Sequence, residues 1–139
     1  MTPPDDLVAL DTSAAVPLLL ATHEAHDVVR AWCSGRRLAL AGHAALETFS
    51  VLTRLPGDVR LEAADAVRLL ARFEPTVLLP EMVSARLPEV LAGAGVVGGA
   101  AYDGAVALAA VHGRVPLGTR DARARSTYEA LGATVLVVG

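Results

Sequence analysis

The chain has no lysine: all 12 of its basic residues are arginine. Every mechanism that requires a lysine is thereby excluded, while the better fork for phosphate oxygens remains. Cysteine is almost as scarce. Cys33 stands alone, so no intrachain disulfide and no thiolate metal cage can form, and it is expected to be a small buried hydrophobe. Aromatics make up 4% of a chain that is 53% hydrophobic, so the core must be filled by Ala, Val and Leu at close helix and sheet contacts. No apolar run approaches the roughly 20 residues needed to cross a bilayer, and the opening MTPPDDLVALD carries acids where a signal peptide carries basic residues. A cytoplasmic protein without a membrane partner is expected. The net charge of −3 argues against a surface that grips nucleic acid everywhere by releasing counterions, so any such contact must be local.

What is present reads as one domain, 1–139, long enough for one continuous core. Leu7 to Leu10 form a short apolar run that stops at Asp11-Thr12-Ser13, where a hydroxyl can cap an Ala-rich helix. Leu38 to Ala41, Val77 to Leu79, Val115 to Gly118 and Thr134 to Val138 are further strand-like runs. Helical spacing covers His43 to Leu55, with a stop at Pro56-Gly57. A second helix, Leu61 to Phe73, is expected to bury Leu61, Ala64, Val67, Leu70 and Ala71. Glu81 to Ala92 reads as helical with an irregularity at Pro88, Gly93 to Gly99 as a joint, and Ala101 to Val111 and Asp121 to Leu131 as helices. Such alternation predicts an α/β fold, a mostly parallel sheet of four or five strands with helices on both faces.

In such a sheet, ligands sit outside the carboxyl ends of the strands. Asp11 and Asp121 fall just past two of those ends, Asp103 opens a helix, and Glu47 lies one turn into another. If the four carboxylates meet at about 5 Å, each like-charged pair costs about 3 kcal/mol at an effective dielectric near 20. Protonation, arginine pairing or a hard divalent cation could offset that cost. Oxygen-only ligands suit Mg²⁺ or Mn²⁺, which polarises phosphate and makes hydroxide available near neutral pH without a protein base. Each acid also has a plainer role: Asp11 as a helix cap, Glu47 as a solvated helix residue, Asp103 and Asp121 as helix starters favoured by the macrodipole.

Leu10-Asp11-Thr12-Ser13 after strand one, Glu47 on a helix after strand two, Tyr102-Asp103-Gly104 opening a late helix, and Thr119-Arg120-Asp121 followed by Ala124, Tyr128 and Leu131-Gly132 resemble a PIN-domain toxin of the VapC family over nearly the whole chain. The resemblance implies a PIN-like three-layer sandwich and endonucleolytic cleavage of RNA using Mg²⁺ or Mn²⁺. It makes Asp11, Glu47, Asp103 and Asp121 the catalytic and metal-binding acids, with Thr12, Ser13 and Thr119 orienting the first and last of them. It further implies a homodimer and a VapB-like antitoxin, giving a heterotetramer or larger assembly. Val28, Trp32 and the Leu46 to Leu55 helix offer an apolar surface for that partner or serve core packing. Gly104 stands where the family more often has Ala, and Gly118 is expected to loosen its strand. Arg120, Arg123 and Arg125 flank the last acid and either hold RNA phosphates or form surface salt bridges.

Rival readings come from other segments. Gly93-Ala94-Gly95-Val96-Val97-Gly98 matches a dinucleotide fingerprint, although only a very short strand could precede it. His23 and His26 resemble a helical metal pair but lack a third ligand. His43 could orient a phosphate and His112 could close a helix. Receiver domains need a lysine, and aspartate-nucleophile phosphatases want a second acid where Ser13 sits. A PIN fold acting only as a binding or dimerisation module remains the alternative from a different class.

Overall fold

Four short apolar runs become the strands β1 (Leu7–Leu10), β2 (Arg37–Leu40), β3 (Leu117–Thr119) and β4 (Val135–Val137) of a computed structural model that describes residues 6–139. The opening 1–5, part of the segment read as lacking signal-peptide character, lies outside the described residues. All pairings are parallel, in the order β2-β1-β3-β4. Parallel neighbours need long crossovers. Helices α1 (Thr12–Leu19) and α2 (His26–Cys33) join β1 to β2. Five more, α3 (His43–Thr53), α4 (Ala63–Leu70), α5 (Glu81–Ala85), α6 (Leu87–Gly93) and α7 (Ala100–Gly113), lead to β3, and α8 (Ala122–Ala130) joins β3 to β4.

Strand side chains alternate between faces, and the core divides accordingly. Val8, Leu10, Leu40 and Val138 pack with Ala14, Ala15, Val29 and Cys33 of α1 and α2. On the other face Ala9 and Leu117 meet Val106, Ala107, Ala109 and Ala110 of α7 and Ala124 and Tyr128 of α8. The result is helix, sheet, helix. Residues 104–110 of α7 are buried without interruption, as expected of a helix surrounded by protein. Its small side chains let the backbones approach. Gly104 shows why: a Cβ there would meet Leu91 Cδ2 at 2.5 Å. Gly118 does not loosen β3; its missing side chain leaves room for Leu10 and Val138, which a Cβ would meet at 2.8 and 3.0 Å.

Some details depart from the sequence-based expectation and others agree with it. Val77 forms a single parallel bridge to Ala41 rather than a strand. The irregularity expected at Pro88 is present as a full break that divides 81–92 into α5 and α6, because its ring excludes a continuous hydrogen-bond ladder. In α4 the buried side chain is Ala66, while Val67 is 57% exposed; a small residue at the contact permits closer helix packing. The Gly93–Gly98 segment connects α6 to α7, with no strand before it, so the dinucleotide-binding alternative lacks the strand-turn-helix its phosphate contact requires. Among the described residues no helix is long and apolar enough to cross a membrane.

From β1 the chain moves to one side, to β2, and then returns to the other, to β3 and β4. The reversal places a crevice beyond the carboxyl ends of β1 and β3.

Candidate functional site

Asp11 leaves β1 in extended conformation and caps α1, its Oδ1 accepting from the Ala14 amide at 3.2 Å. Its role as a cap does not exhaust it. Ser13 Oγ donates to Oδ1 at 2.6 Å, while Thr119 Oγ1 and Tyr128 Oη, the latter at 2.8 Å, donate to Oδ2. Asp11 is 4% exposed, and these donors offset the cost of burying its charge. Two of the hydroxyls are themselves anchored. Ser13 Oγ accepts from the Arg120 amide at 2.8 Å, and Thr119 Oγ1 from the Asp121 amide at 3.0 Å. The end of β3 is thus stapled to the start of α1 through Asp11.

Asp121 caps α8, accepting from the amides of Arg123 and Ala124. Asp103 lies in the first turn of α7, and Glu47 one turn into α3. Asp11, Thr12, Ser13, Glu47, Asp103, Val106, Asp121 and Tyr128 line one cavity of about 200 Å³. All four predicted acids therefore face the same space. Thr12, expected to orient an acid, instead accepts from Thr48 Oγ1 at 3.5 Å. Burial, then the charges of Asp121, Asp11 and Glu47, push the Asp103 carboxyl above its ordinary range, with Arg123 opposing. Burial and Asp11 raise the Tyr128 phenol, which keeps it a hydrogen-bond donor.

Arginine does little to neutralise this cavity. Arg123 Nε is 3.9 Å from Asp121 Oδ1 on a side chain 97% exposed, a screened contact of small value. Arg120 donates to the Val138 carbonyl at 3.1 Å, and Arg125 pairs with Glu129. Among the described residues no three His, Cys, Asp or Glu side chains stand close enough to form the shell of one ion. The acids surround the cavity rather than pre-forming a cage. Hard oxygen donors around a space with room for several waters fit a cation that keeps some of its own waters, and do not fit a closed zinc site.

Other singled-out residues serve local structure. His23 Nδ1 accepts from the Ala25 amide, and His26 Nδ1 meets the Pro17 carbonyl at 2.8 Å, so the two rings hold the turn into α2. Trp32 packs on the core beneath Arg36, whose guanidinium lies 4.0 Å from the ring centroid, while Val28 stays exposed. Burial raises the Cys33 thiol. Tyr128 was missed as part of the acid network. The spacing Asp121, Ala124, Tyr128 puts all three on one helical stripe, which signals a shared face but not the bond to Asp11.

The PIN domain model matches residues 8–130. The chain is 54% identical over 138 residues to the protein named Ribonuclease VapC27 of Mycobacterium tuberculosis strain H37Rv, covering 99% of this chain and 98% of that one. It is 40% identical over 135 residues to Ribonuclease VapC40 of strains CDC 1551 and H37Rv of the same organism, covering 95% and 99%.

Proposed function

The chain belongs to the PIN-domain family, in its VapC branch, and from that membership we propose a metal-dependent endoribonuclease, the toxin of a type II toxin–antitoxin system, formed as one domain over 1–139. The observation that carries this reading is the single cavity lined by Asp11, Glu47, Asp103 and Asp121 at the sheet's switch point. Mg²⁺ or Mn²⁺ held by these acids would supply polarisation of a phosphate oxygen and hydroxide near neutral pH. Ser13, Thr119 and Tyr128 fix the Asp11 carboxylate, so that it need not reorganise when charge develops. Arg123 is free to swing toward an RNA phosphate; Arg120 would have to leave the Val138 carbonyl to do so. A VapB-like antitoxin, homodimerisation and a cytoplasmic place of action complete the proposal.

The test incubates the full chain with cellular RNA in Mg²⁺, Mn²⁺ or chelator. Asp11→Asn and Asp103→Asn should each lower cleavage at least about 100-fold while circular dichroism reports an intact fold, and chelator should abolish cleavage by wild type. Equal cleavage by wild type and both variants would expose a contaminating nuclease. Cleavage of no RNA by any of them would favour a PIN fold that binds without cutting.

A further inference from the structure

Beside the acid cavity lies a larger one, about 670 Å³, lined by His43, Leu46, Glu47, Ser50, Arg54, Gly99, Tyr102 and Asp103. The two share Glu47 and Asp103, so the larger adjoins the acid cavity as a trough between α3 and the start of α7. Residues 43, 47, 50 and 54 fall at helical intervals of four, three and four, placing them on one stripe of α3 and its C-terminal cap. Arg54 therefore stands about 10 Å beyond Glu47 along that helix. Across the trough Tyr102 is 64% exposed, its ring centroid 5.6 Å from that of His43 at an interplanar angle of 34°. Among the described residues Arg54 makes no ion pair.

We infer that this trough binds the nucleotide next to the phosphate being cut, with its unpaired base stacked on Tyr102 beside His43 and its far phosphate met by Arg54. The inference rests on the ribonuclease reading for its substrate. Three features select this occupant. An aromatic ring left open to solvent beside a second ring offers a stacking face that every base can use. Charge is ordered along the trough, acids at the end assigned to the reacting phosphate and a guanidinium at the other, which suits a chain of alternating phosphate and base. A second copy of the protein is the weaker fit, since interface cores are depleted of charge and Glu47, Arg54 and Asp103 all line this space. A base in a duplex has both faces covered, so the trough selects single-stranded RNA.

The experiment measures binding by fluorescence anisotropy of a short labelled single-stranded oligoribonucleotide to the full chain carrying Asp103→Asn, with Ca²⁺ as the cation. Adding Tyr102→Ala should weaken binding on the order of 10-fold, and Tyr102→Phe should restore it. One abasic position scanned along the strand should weaken binding at a single site with Tyr102 present and have no effect there with Tyr102→Ala. Arg54→Ala should flatten the dependence of log affinity on log salt by about 0.7. Unchanged affinity on Tyr102→Ala, an abasic penalty equal in both backgrounds, or no RNA binding at all would overturn the inference. So would a change in sedimentation mass on Tyr102→Ala with RNA affinity unaltered, which would assign the face to a second copy. Binding that follows this pattern without cleavage by wild type would defeat the nuclease reading and leave the trough standing.

Discussion

Asp11 and Asp103 face the same cavity, and the chain treats them differently. Asp11 is buried and held by Ser13, Thr119, Tyr128 and the Ala14 amide. Asp103 is half-buried and faces three other acids, with the charge of Arg123 and its place in the first turn of α7 in its favour. One side of the site is bonded into the fold, and its carboxylate is fixed by the same contacts that join β3 to α1. The other side carries a charge that the fold tolerates at a cost. A site built this way divides its labour: the bonded half fixes geometry, and the unbonded half supplies affinity for something positive. Substitutions on the two sides should then separate stability from activity.

The largest expected effect is Thr119→Val, which keeps shape but deletes a donor to Asp11 and an acceptor for the Asp121 amide. Losing a buried bond to a charge and orphaning an amide should cost about 3 kcal/mol, lowering Tm by roughly 10 °C. Cleavage should fall about 10- to 100-fold. Calorimetry showing less than about 1 kcal/mol would mean that Asp11 does not depend on this clamp.

Tyr128→Phe is the milder version. It removes only the phenol's bond to Asp11, for about 1.5–2 kcal/mol, and leaves the ring packed at 2% exposure. Thermal melts and cleavage rates of the same samples check it. If stability falls and the rate does not, the tyrosine belongs to the core alone.

How much of this was legible beforehand follows from distance along the chain. Strand ends, helix starts and the positions of the acids are local signals, and the predicted layering agrees with the observed core. The hydroxyl clamp was partly visible, since Ser13 and Thr119 adjoin the acids in sequence. Tyr128 was not. Its bond to Asp11 spans 117 residues and exists only because β1 pairs with β3 across the switch point, a fact that periodicity does not encode. The same holds for the His43 and Tyr102 rings, which meet because α3 and α7 pack together. The buried face of α4 departs from its pattern for another reason: hydrophobic spacing favours Val67, whereas close approach selects Ala66.

Asp103→Asn tests the unbonded side and should act in the opposite sense. Because the folded state raises the Asp103 carboxyl, native protein binds its proton more tightly than unfolded chain does. Stability from this group is therefore present at low pH and is lost as pH rises from the ordinary value of 3.8 through the raised one. Its place in the first turn of α7 pulls the other way, by about 0.3–1 kcal/mol, against the burial and the three like charges that raise the carboxyl. In chelator at neutral pH, Asp103→Asn should be more stable than wild type by about 0.5 kcal/mol, a gain kept small by solvent screening. That difference should vanish below the ordinary carboxylate range. Added Mg²⁺ should raise the Tm of wild type and move the variant less, since only a ligand that binds the folded form stabilises it. A variant less stable than wild type in chelator at neutral pH would show that Asp103, like Asp11, is bonded into the fold, and the contrast between the two sides would disappear.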